Sequence, residues 1–501
     1  MPSTHRRRMW TVASILRMFR TNWSMRSIFT DHQGGERTEA QYEPSRNNLF
    51  GSFAILIRDG KPSQSAMDAP TGVVMLRDHQ NHEGSSMRQT HPNPTATPSA
   101  GRPLVGLRVL ELGHFVAAPF ATRLMADLGA EIIKVEPPRE GDPARGWGLV
   151  ADGQSIWWSV HGRGKSCITL DLKSSEGRDI ALHLIEEVDA VVENYRPGQI
   201  ERWGLGPDVI RARNPRCIVV RISGYGQDGP YRDKVAFGVI GEAMGGIRHL
   251  TGYPAGETTL PPVRTGISLG DSVAGLYAAF GLMAAVYERD IAGTGLGRVV
   301  DVALYESVFS LLEGCLPEFG KLGVVRQPSG STLPTTAPSN AYPCSDGKWV
   351  IVAGNSDRIF ARLAVLMGCP EYVRDPRFAT NKDRVRHSSV LDAAIRRWTL
   401  GKKAAEAVAL FANHEIPATT IYTIADISAD PHFAARGMIR EVDDPQLGSV
   451  LHPGVVPRFD GVAASPGRPG APVGTDTDQV LSKLAGFDET RIEDLRSRGI
   501  V

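Results

Sequence analysis

Leu107-Arg-Val-Leu-Glu-Leu-Gly-His-Phe-Val-Ala-Ala-Pro119 is the stretch that decides the fold. Its first six residues predict a short apolar strand, and a helix follows over Phe120 to Leu128. Gly129 ends that helix before a second predicted strand, Glu131 to Val135. A strand, a helix and a second strand in this order form a βαβ unit, whose two strands lie parallel in one sheet.

The same alternation continues downstream. It predicts a helix over Glu176 to Glu187 and strands over Cys167 to Leu172, Ala190 to Glu193, Cys217 to Ile222 and Arg298 to Ala303. The sequence therefore predicts an α/β fold with a Rossmann-like parallel sheet. The turn after the first strand is not GxGxxG, and no GxxxxGK[ST] occurs, so neither a dinucleotide site nor an ATP phosphate loop is indicated.

Changes in composition divide the chain into five predicted segments. Residues 1–102 form a largely disordered extension, 103–305 a large α/β domain, and 306–343 a linker helix and loop. A smaller α/β domain over 344–430 and a C-terminal segment over 431–501, returning to the large domain, complete the prediction. The Ser-, Thr- and Pro-rich stretch Pro328 to Pro343 suits either a lid over a site or a plain crossing between domains.

Overall composition limits the possible partners. The chain has 501 residues, 42% of them hydrophobic, and a formal net charge of +1, which disfavours binding to nucleic acid or acidic membranes. Its five cysteines are scattered with no CxxC pair, so no metal site is expected and a reducing compartment is favoured. We find no run of 18 apolar residues and expect no transmembrane helix.

The first thirty residues leave two possible cellular locations for the protein. Met1 to Thr30 holds six arginines and no acidic residue, as mitochondrial targeting segments do. The alternative is an upstream extension outside the folded protein, with the true start nearer Met67, Met75 or Met87. The second alternative favours a cytoplasmic protein.

A single carboxylate follows a glycine in the stretch Arg264-Thr-Gly-Ile-Ser-Leu-Gly-Asp271. An apolar run comes next, in which Leu276, Ala279, Phe280, Met283 and Val286 recur at helical spacing. A carboxylate at a helix start meets free N–H groups and the positive end of the helix dipole, so Asp271 is expected to stay ionised. It can then act as a nucleophile toward an acyl group, or simply cap the helix.

Taken together, these segments resemble the family III CoA-transferases of the CaiB/BaiF type. That group also includes formyl-CoA transferase and α-methylacyl-CoA racemase. The resemblance runs from about Pro103 to the C-terminus. It is carried by collinear strings at Leu107 to Gly113, Ala126 to Pro138, Gly141 to Arg145, Ile168 to Lys173, Val192 to Gly198, Ser223 to Pro230 and the Gly-Asp-Ser around Asp271.

The resemblance implies that Asp271 is the nucleophile, that the large domain binds CoA, and that no cofactor is bound permanently. CoA would enter as an acyl-CoA substrate, with a carboxylic acid as the second substrate. Two copies are expected to form an interlocked homodimer. The residues implied to line the CoA path are Phe115, Leu170, Lys173, Asn194, Tyr195, Arg202 and Trp203.

At two places the chain lacks residues that particular branches of the family use, and these differences narrow the choice of reaction. The racemase branch has a His within the segment matching Val235 to Ile240, and this chain has none there. The formyl-CoA branch uses a Gln and a Glu where this chain has Val116 and Gly238. The sequence looks most like members that use succinyl-CoA and small dicarboxylates, with Arg248 or Arg264 binding the remote carboxylate or forming an ordinary charge pair. A racemase and a non-catalytic CoA-binding subunit remain the alternatives.

Overall fold

The computed structural model describes residues 101–462 and 466–501, and the backbone of residues 27–29 and 38–40. The chain divides into two units, Met1–Asn93 and Pro94–Val501. In the first unit, β1 (Ser27–Phe29) pairs antiparallel with β2 (Thr38–Ala40). The rest of the predicted N-terminal extension up to residue 100, with its targeting segment, lies outside the described residues.

The second unit alternates strands and helices. Its strands are β3 (Arg108–Glu111), β4 (Glu131–Glu136), β5 (Val150–Ala151), β6 (Gln154–Ser155), β7 (Lys165–Thr169), β8 (Ala190–Glu193), β9 (Ile218–Ser223), β10 (Val299–Ala303), β11 (Ser339–Pro343), β12 (Trp349–Ala353), β13 (Ala418–Thr420), β14 (Ile439–Asp444) and β15 (Gly448–Pro453). Short 3₁₀ helices lie at Pro143–Gly146, Pro370–Val373 and Pro376–Phe378.

The α-helices are distributed along the whole unit. They are α1 (Ala117–Asp127), α2 (Ile156–His161), α3 (Ser175–Glu186), α4 (Gln199–Arg202), α5 (Pro207–Arg213), α6 (Gly238–Met244), α7 (Ile247–Leu250), α8 (Leu269–Asp290), α9 (Leu304–Phe309), α10 (Cys315–Leu322), α11 (Asp357–Leu366), α12 (Asn381–Arg386), α13 (Ser388–Leu400), α14 (Ala404–Asn413), α15 (Ile424–Ala429), α16 (Pro431–Ala435), α17 (Thr477–Ala485) and α18 (Glu489–Ser497).

Six strands form one parallel sheet in the order β10-β9-β8-β3-β4-β7. This is the strand order of a Rossmann fold, in which the chain runs outward from the centre in both directions. The direction reverses between β3 and β8, so a crevice opens beyond the carboxyl ends of these two strands. The predicted α/β fold with a Rossmann-like sheet is confirmed.

The strand predicted over Cys167 to Leu172 begins and ends earlier than its apolar residues suggest. β7 includes Lys165, whose ammonium is buried and lies 2.8 Å from the Glu111 carboxylate. A lysine normally marks a turn or a surface, but here the buried ion pair lets it join the sheet. Leu170 and Leu172 follow the strand and pack into the hydrophobic core.

Helix α8, which carries Asp271, buries mostly small residues, among them Ala274, Gly275 and Ala278. A Cβ atom at Gly275 would lie 2.8 Å from the Ala117 carbonyl oxygen, so α8 approaches α1 closely. Of the apolar run at helical spacing, Ala279, Met283 and Val286 pack against the core, whereas Leu276 and Phe280 are 53% and 72% exposed. By length and composition α8 could also cross a membrane, contrary to expectation, but its buried face packs on α1 and β9 as a core helix does.

The remaining elements include a smaller sheet and a C-terminal segment that packs on the large sheet. β11, β12 and β13 make an antiparallel sheet, so the predicted loop Pro328 to Pro343 ends in a strand. At the C-terminus, Leu481 of α17 and Leu495 of α18 share one hydrophobic core with Leu110 of β3. The five-segment division itself stays a prediction.

Candidate active site

Asp271 lies in the first turn of α8, and Ser268 occupies the N-cap position. The alternative interpretation of Asp271 as the N-cap is therefore wrong. The backbone N–H of Gly238, at the start of α6, donates to the Asp271 carboxylate. The two helix starts touch because both contact residues are glycines: a Cβ atom at Gly270 would lie 2.5 Å from the Gly238 carbonyl oxygen. The Asp271 side chain remains partly accessible.

The pKa of Asp271 is raised to about 6. Burial is the largest cause, and the negative charge of Glu242 adds to it, whereas Arg264 and the Gly238 N–H act in the opposite direction. Burial and the Glu242 charge therefore outweigh the groups that lower the pKa of Asp271. At pH 7 the carboxylate is still mostly ionised, and its raised pKa makes it a stronger nucleophile than a surface aspartate.

Glu242 is the site residue that the sequence analysis missed. It lies one turn after Gly238 on α6, is almost fully buried, and its Oε1 accepts a long hydrogen bond from the Gly270 N–H at 3.4 Å. Its other oxygen is 3.5 Å from Arg248 Nη1 and 3.8 Å from Arg264 Nε. The i, i+4 spacing from Gly238 is the only sequence signal for it, and that signal requires knowing which face of α6 meets Asp271.

Both predicted substrate arginines therefore lie at the same buried carboxylate, beside Asp271. The Arg248 and Arg264 side chains are 29% and 45% exposed, so part of each guanidinium faces solvent. A guanidinium carries five N–H donors, more than these contacts with Glu242 use. The pair can thus be held in place by Glu242 and still bind an incoming carboxylate.

Replacing Glu242 with Gln should move the acid limb of the pH profile. The reactive form of Asp271 is the carboxylate, so kcat/KM should fall as the pH drops through about 6. Removing the Glu242 charge lowers the pKa of Asp271, and we expect the limb to shift to lower pH by about one unit. Glu406→Gln, on the exposed face of α14, is the control and should not move it. An unshifted limb in E242Q would contradict this account.

Four of the predicted CoA residues meet at the crevice between β3 and β8. Phe115 follows β3 and Asn194 follows β8, and the Asn194 side chain bonds both the N–H and the carbonyl of His114 at 2.8 Å. Tyr195 and Trp203 pack edge to face with ring centroids 4.8 Å apart. The Phe115 ring also lies 6.2 Å from that of Phe237, which precedes Gly238, so the crevice extends toward Asp271.

A partly accessible carboxylate, Asp271, thus lies beside this crevice, and comparisons with known proteins identify the family. Residues 104–477 match the family model of CoA-transferase family III. The chain belongs to this family. It is 45% identical over 401 residues to the succinyl-CoA–D-citramalate CoA-transferase of Chloroflexus aurantiacus, covering 80% of this chain and 98% of that protein.

Two less similar proteins support the same family assignment. The succinyl-CoA:glutarate CoA-transferase of Homo sapiens is 30% identical over 406 residues, covering 80% of this chain and 90% of that protein. The structure of a CaiB/BaiF family protein from Brucella suis superposes with a TM-score of 0.67 at 32% identity, covering 77% of this chain and all of the other. The predicted family and the predicted enzyme class, a CoA-transferase, are confirmed.

The other three residues predicted to contact CoA in this family III enzyme are not part of the cluster between β3 and β8. Leu170 is 1% exposed in the hydrophobic core, so the structure offers no Leu170 surface to a ligand. Lys173 and Arg202 are exposed, and Arg202 donates to Gln199 at 2.6 Å. Contact of these two cations with CoA phosphates stays a prediction.

Proposed function

We propose that this family III CoA-transferase moves CoA from succinyl-CoA to a small dicarboxylic acid, with Asp271 as the covalent carrier. The observation that carries the proposal is a partly accessible carboxylate whose immediate neighbour, Glu242, holds two arginines. Relatives named for succinyl-CoA with citramalate, malate and glutarate support the same donor and the same class of acid.

The first half of the reaction loads CoA onto the enzyme. An Asp271 oxygen attacks the thioester carbonyl carbon, the C–S bond breaks, and CoA thiolate leaves behind a mixed anhydride. The thiolate then attacks the Asp271 Cγ, and the anhydride C–O bond breaks to release succinate. The enzyme is left as an aspartyl-CoA thioester, and no net proton has been taken up.

The second half repeats these steps in reverse order with the new acid. Its carboxylate attacks the aspartyl Cγ and expels CoA thiolate, which then attacks the acyl carbonyl of the new anhydride. The new acyl-CoA leaves and Asp271 returns as a carboxylate. The Gly238 N–H, which already donates to the Asp271 carboxylate, supports negative charge that develops on that carboxyl group in both halves.

Arg264→Gln should weaken the use of dicarboxylic acids selectively. We expect the KM for glutarate to rise about tenfold or more, because a charge-assisted hydrogen bond to its remote carboxylate is lost, and the KM for butyrate to change little. Rates are compared at saturating succinyl-CoA and at pH 8, where Asp271 stays ionised in the variant. Arg436→Gln, an exposed arginine on the C-terminal side of α16, is the control. Equal effects on both acids would argue against this role.

We also propose that the enzyme is a homodimer in the cytoplasm. A second copy would cover large apolar side chains that α8 and α10 expose, among them Phe280, Phe319 and Leu322, which are all more than half exposed. The five cysteines are free thiols, which supports a reducing compartment.

Phe280→Asp should break the proposed dimer. A charged residue at the centre of an apolar interface is costly to desolvate, so light scattering should give the mass of one chain instead of two. Asp290→Ala, at the C-terminal end of α8, should keep the dimer mass. A wild-type protein with the mass of a single chain would overturn the dimer but not the transferase reaction.

A further inference from the structure

The turn that carries Phe115 is held by side chains at each of its four central backbone groups. Lys134 Nζ donates to the Gly113 carbonyl at 3.0 Å, and Asn194 bonds both polar groups of His114. The Phe115 N–H donates to Asp142 Oδ1 at 3.0 Å. The backbone groups of a turn have no hydrogen-bond partners in a helix or a sheet, so these side chains supply the hydrogen bonds instead.

The carboxylate and the ammonium that hold this turn are both buried. Asp142 and Lys134 are at most 2% exposed and lie 2.7 Å apart, and Lys134 also contacts Glu111 at 2.9 Å. Burial alone raises the pKa of Asp142, but the charge of Lys134 and the N–H groups of Ala144 and Phe115 outweigh it and lower the pKa. Asp142 is therefore an anion inside the protein, and besides the ion pair its Oδ1 is held by the N–H groups of Phe115 and Ala144.

Phe115 needs such a restraint because its backbone is left-handed, with φ at 61°. A bulky residue persists in that conformation only when its surroundings impose it. The conformation places the Phe115 ring between Trp147, 5.1 Å away, and Phe237, which lies beside the Asp271 contact. Trp147 follows the 3₁₀ helix that Asp142 caps, so one carboxylate sets the positions of two rings.

The neighbouring loop is held in the same way. Glu193, at the end of β8, is fully buried and accepts from the Tyr195 N–H at 2.7 Å. Its other oxygen lies 2.7 Å from Arg221 Nε on β9. Each of the two crevice loops is thus tied to a buried carboxylate that a buried cation neutralises.

We infer that Asp142 is a positioning residue for CoA: through the Phe115 N–H it holds the crevice in its binding shape before the ligand arrives. This inference rests on the proposed function, because it takes CoA as the ligand of these loops. It assigns Asp142 no contact with the reacting atoms. A crevice formed in advance binds its ligand more tightly because less ordering is left to binding.

Two substitutions at Asp142 separate position from charge. Asp142→Asn removes the charge but keeps an oxygen that can accept from Phe115 and Ala144, and Lys134 keeps its contacts with the Gly113 carbonyl and with Glu111, which it shares with Lys165. Asp142→Glu keeps the charge but moves the carboxylate by one methylene. We expect the Kd for free CoA, measured by calorimetry, to stay within about threefold in D142N and to rise about tenfold or more in D142E. In D142E the KM for acyl-CoA should rise while kcat is largely kept.

A buried pair elsewhere provides the control. Asp127 and Arg163 lie 2.7 Å apart, are equally buried, and tie α1 to the Pro453 carbonyl rather than to the crevice. Asp127→Glu should lower the thermal midpoint without changing the Kd for CoA. The inference is overturned if D142E binds CoA like the wild type, if D142N is the weaker binder, or if D127E weakens binding equally. Wild-type protein that binds CoA without exchanging it would instead overturn the proposed function alone.

Discussion

Asp271→Ala is expected to lower the rate of CoA exchange by at least about 10⁴-fold, because it removes the carboxyl group whose oxygen is proposed to bond to the acyl group and whose Cγ is proposed to bond to CoA. The alanine side chain fills less space and carries no charge in a region where burial already raises the pKa of the carboxyl group to about 6. The variant should therefore fold and still bind CoA. Exchange is measured as transfer of CoA from succinyl-CoA to a labelled acid.

Trapping provides the second readout for the same residue. Borohydride or hydroxylamine added during turnover should modify Asp271 through its thioester, and mass spectrometry of the digested protein should locate the change. Asp290→Ala, on the last turn of the same helix, is the matched control and should keep full exchange. Wild-type exchange rates in D271A, or trapping at a different residue, would rule out Asp271 as the carrier.

Gly238→Ala should have the second largest effect. The added Cβ atom would lie 2.1 Å from Asp271 Oδ2 and 2.6 Å from its Cγ, far inside any allowed contact. The carboxyl group must therefore rotate or α6 must shift, and either movement displaces the nucleophile. A displacement near 1 Å costs about 10²-fold in rate, so we expect kcat to fall by that amount while the Kd for CoA changes little.

Gly401→Ala is the control for the effect of alanine itself. Gly401 follows α13, has a negative φ, and the nearest atom to an added Cβ would be 3.6 Å away, which is an ordinary contact. Its kcat and thermal midpoint should match the wild type. If G238A exchanged CoA at the wild-type rate, the packing of α6 against Asp271 would not define the site.

Local sequence patterns predicted most strands of the sheet. They did not predict where a buried ion pair or a close approach of small residues determines which residues are buried. Short apolar runs such as those containing Val109-Leu110 and Ile132-Ile133, separated by a predicted helix, are typical of strands in a parallel sheet that is covered on both faces. Lys165 joins β7 because of its contact with Glu111, a residue more than fifty positions away. The buried face of α8 could not be predicted either, because Gly275 faces α1 and leaves Phe280 outside.

In the candidate active site, too, some features follow from local sequence and others only from the tertiary structure. The sequence alone determined the family and the strand ends that carry Phe115 and Asn194, and it predicted Asp271 as the nucleophile, because those inferences rest on local strings. Only the tertiary structure decided what surrounds Asp271: it brings Glu242 and both arginines to one point and raises the pKa of the Asp271 carboxyl group. Burial and charge act through space between residues that are far apart in the chain, so no local string of residues records them.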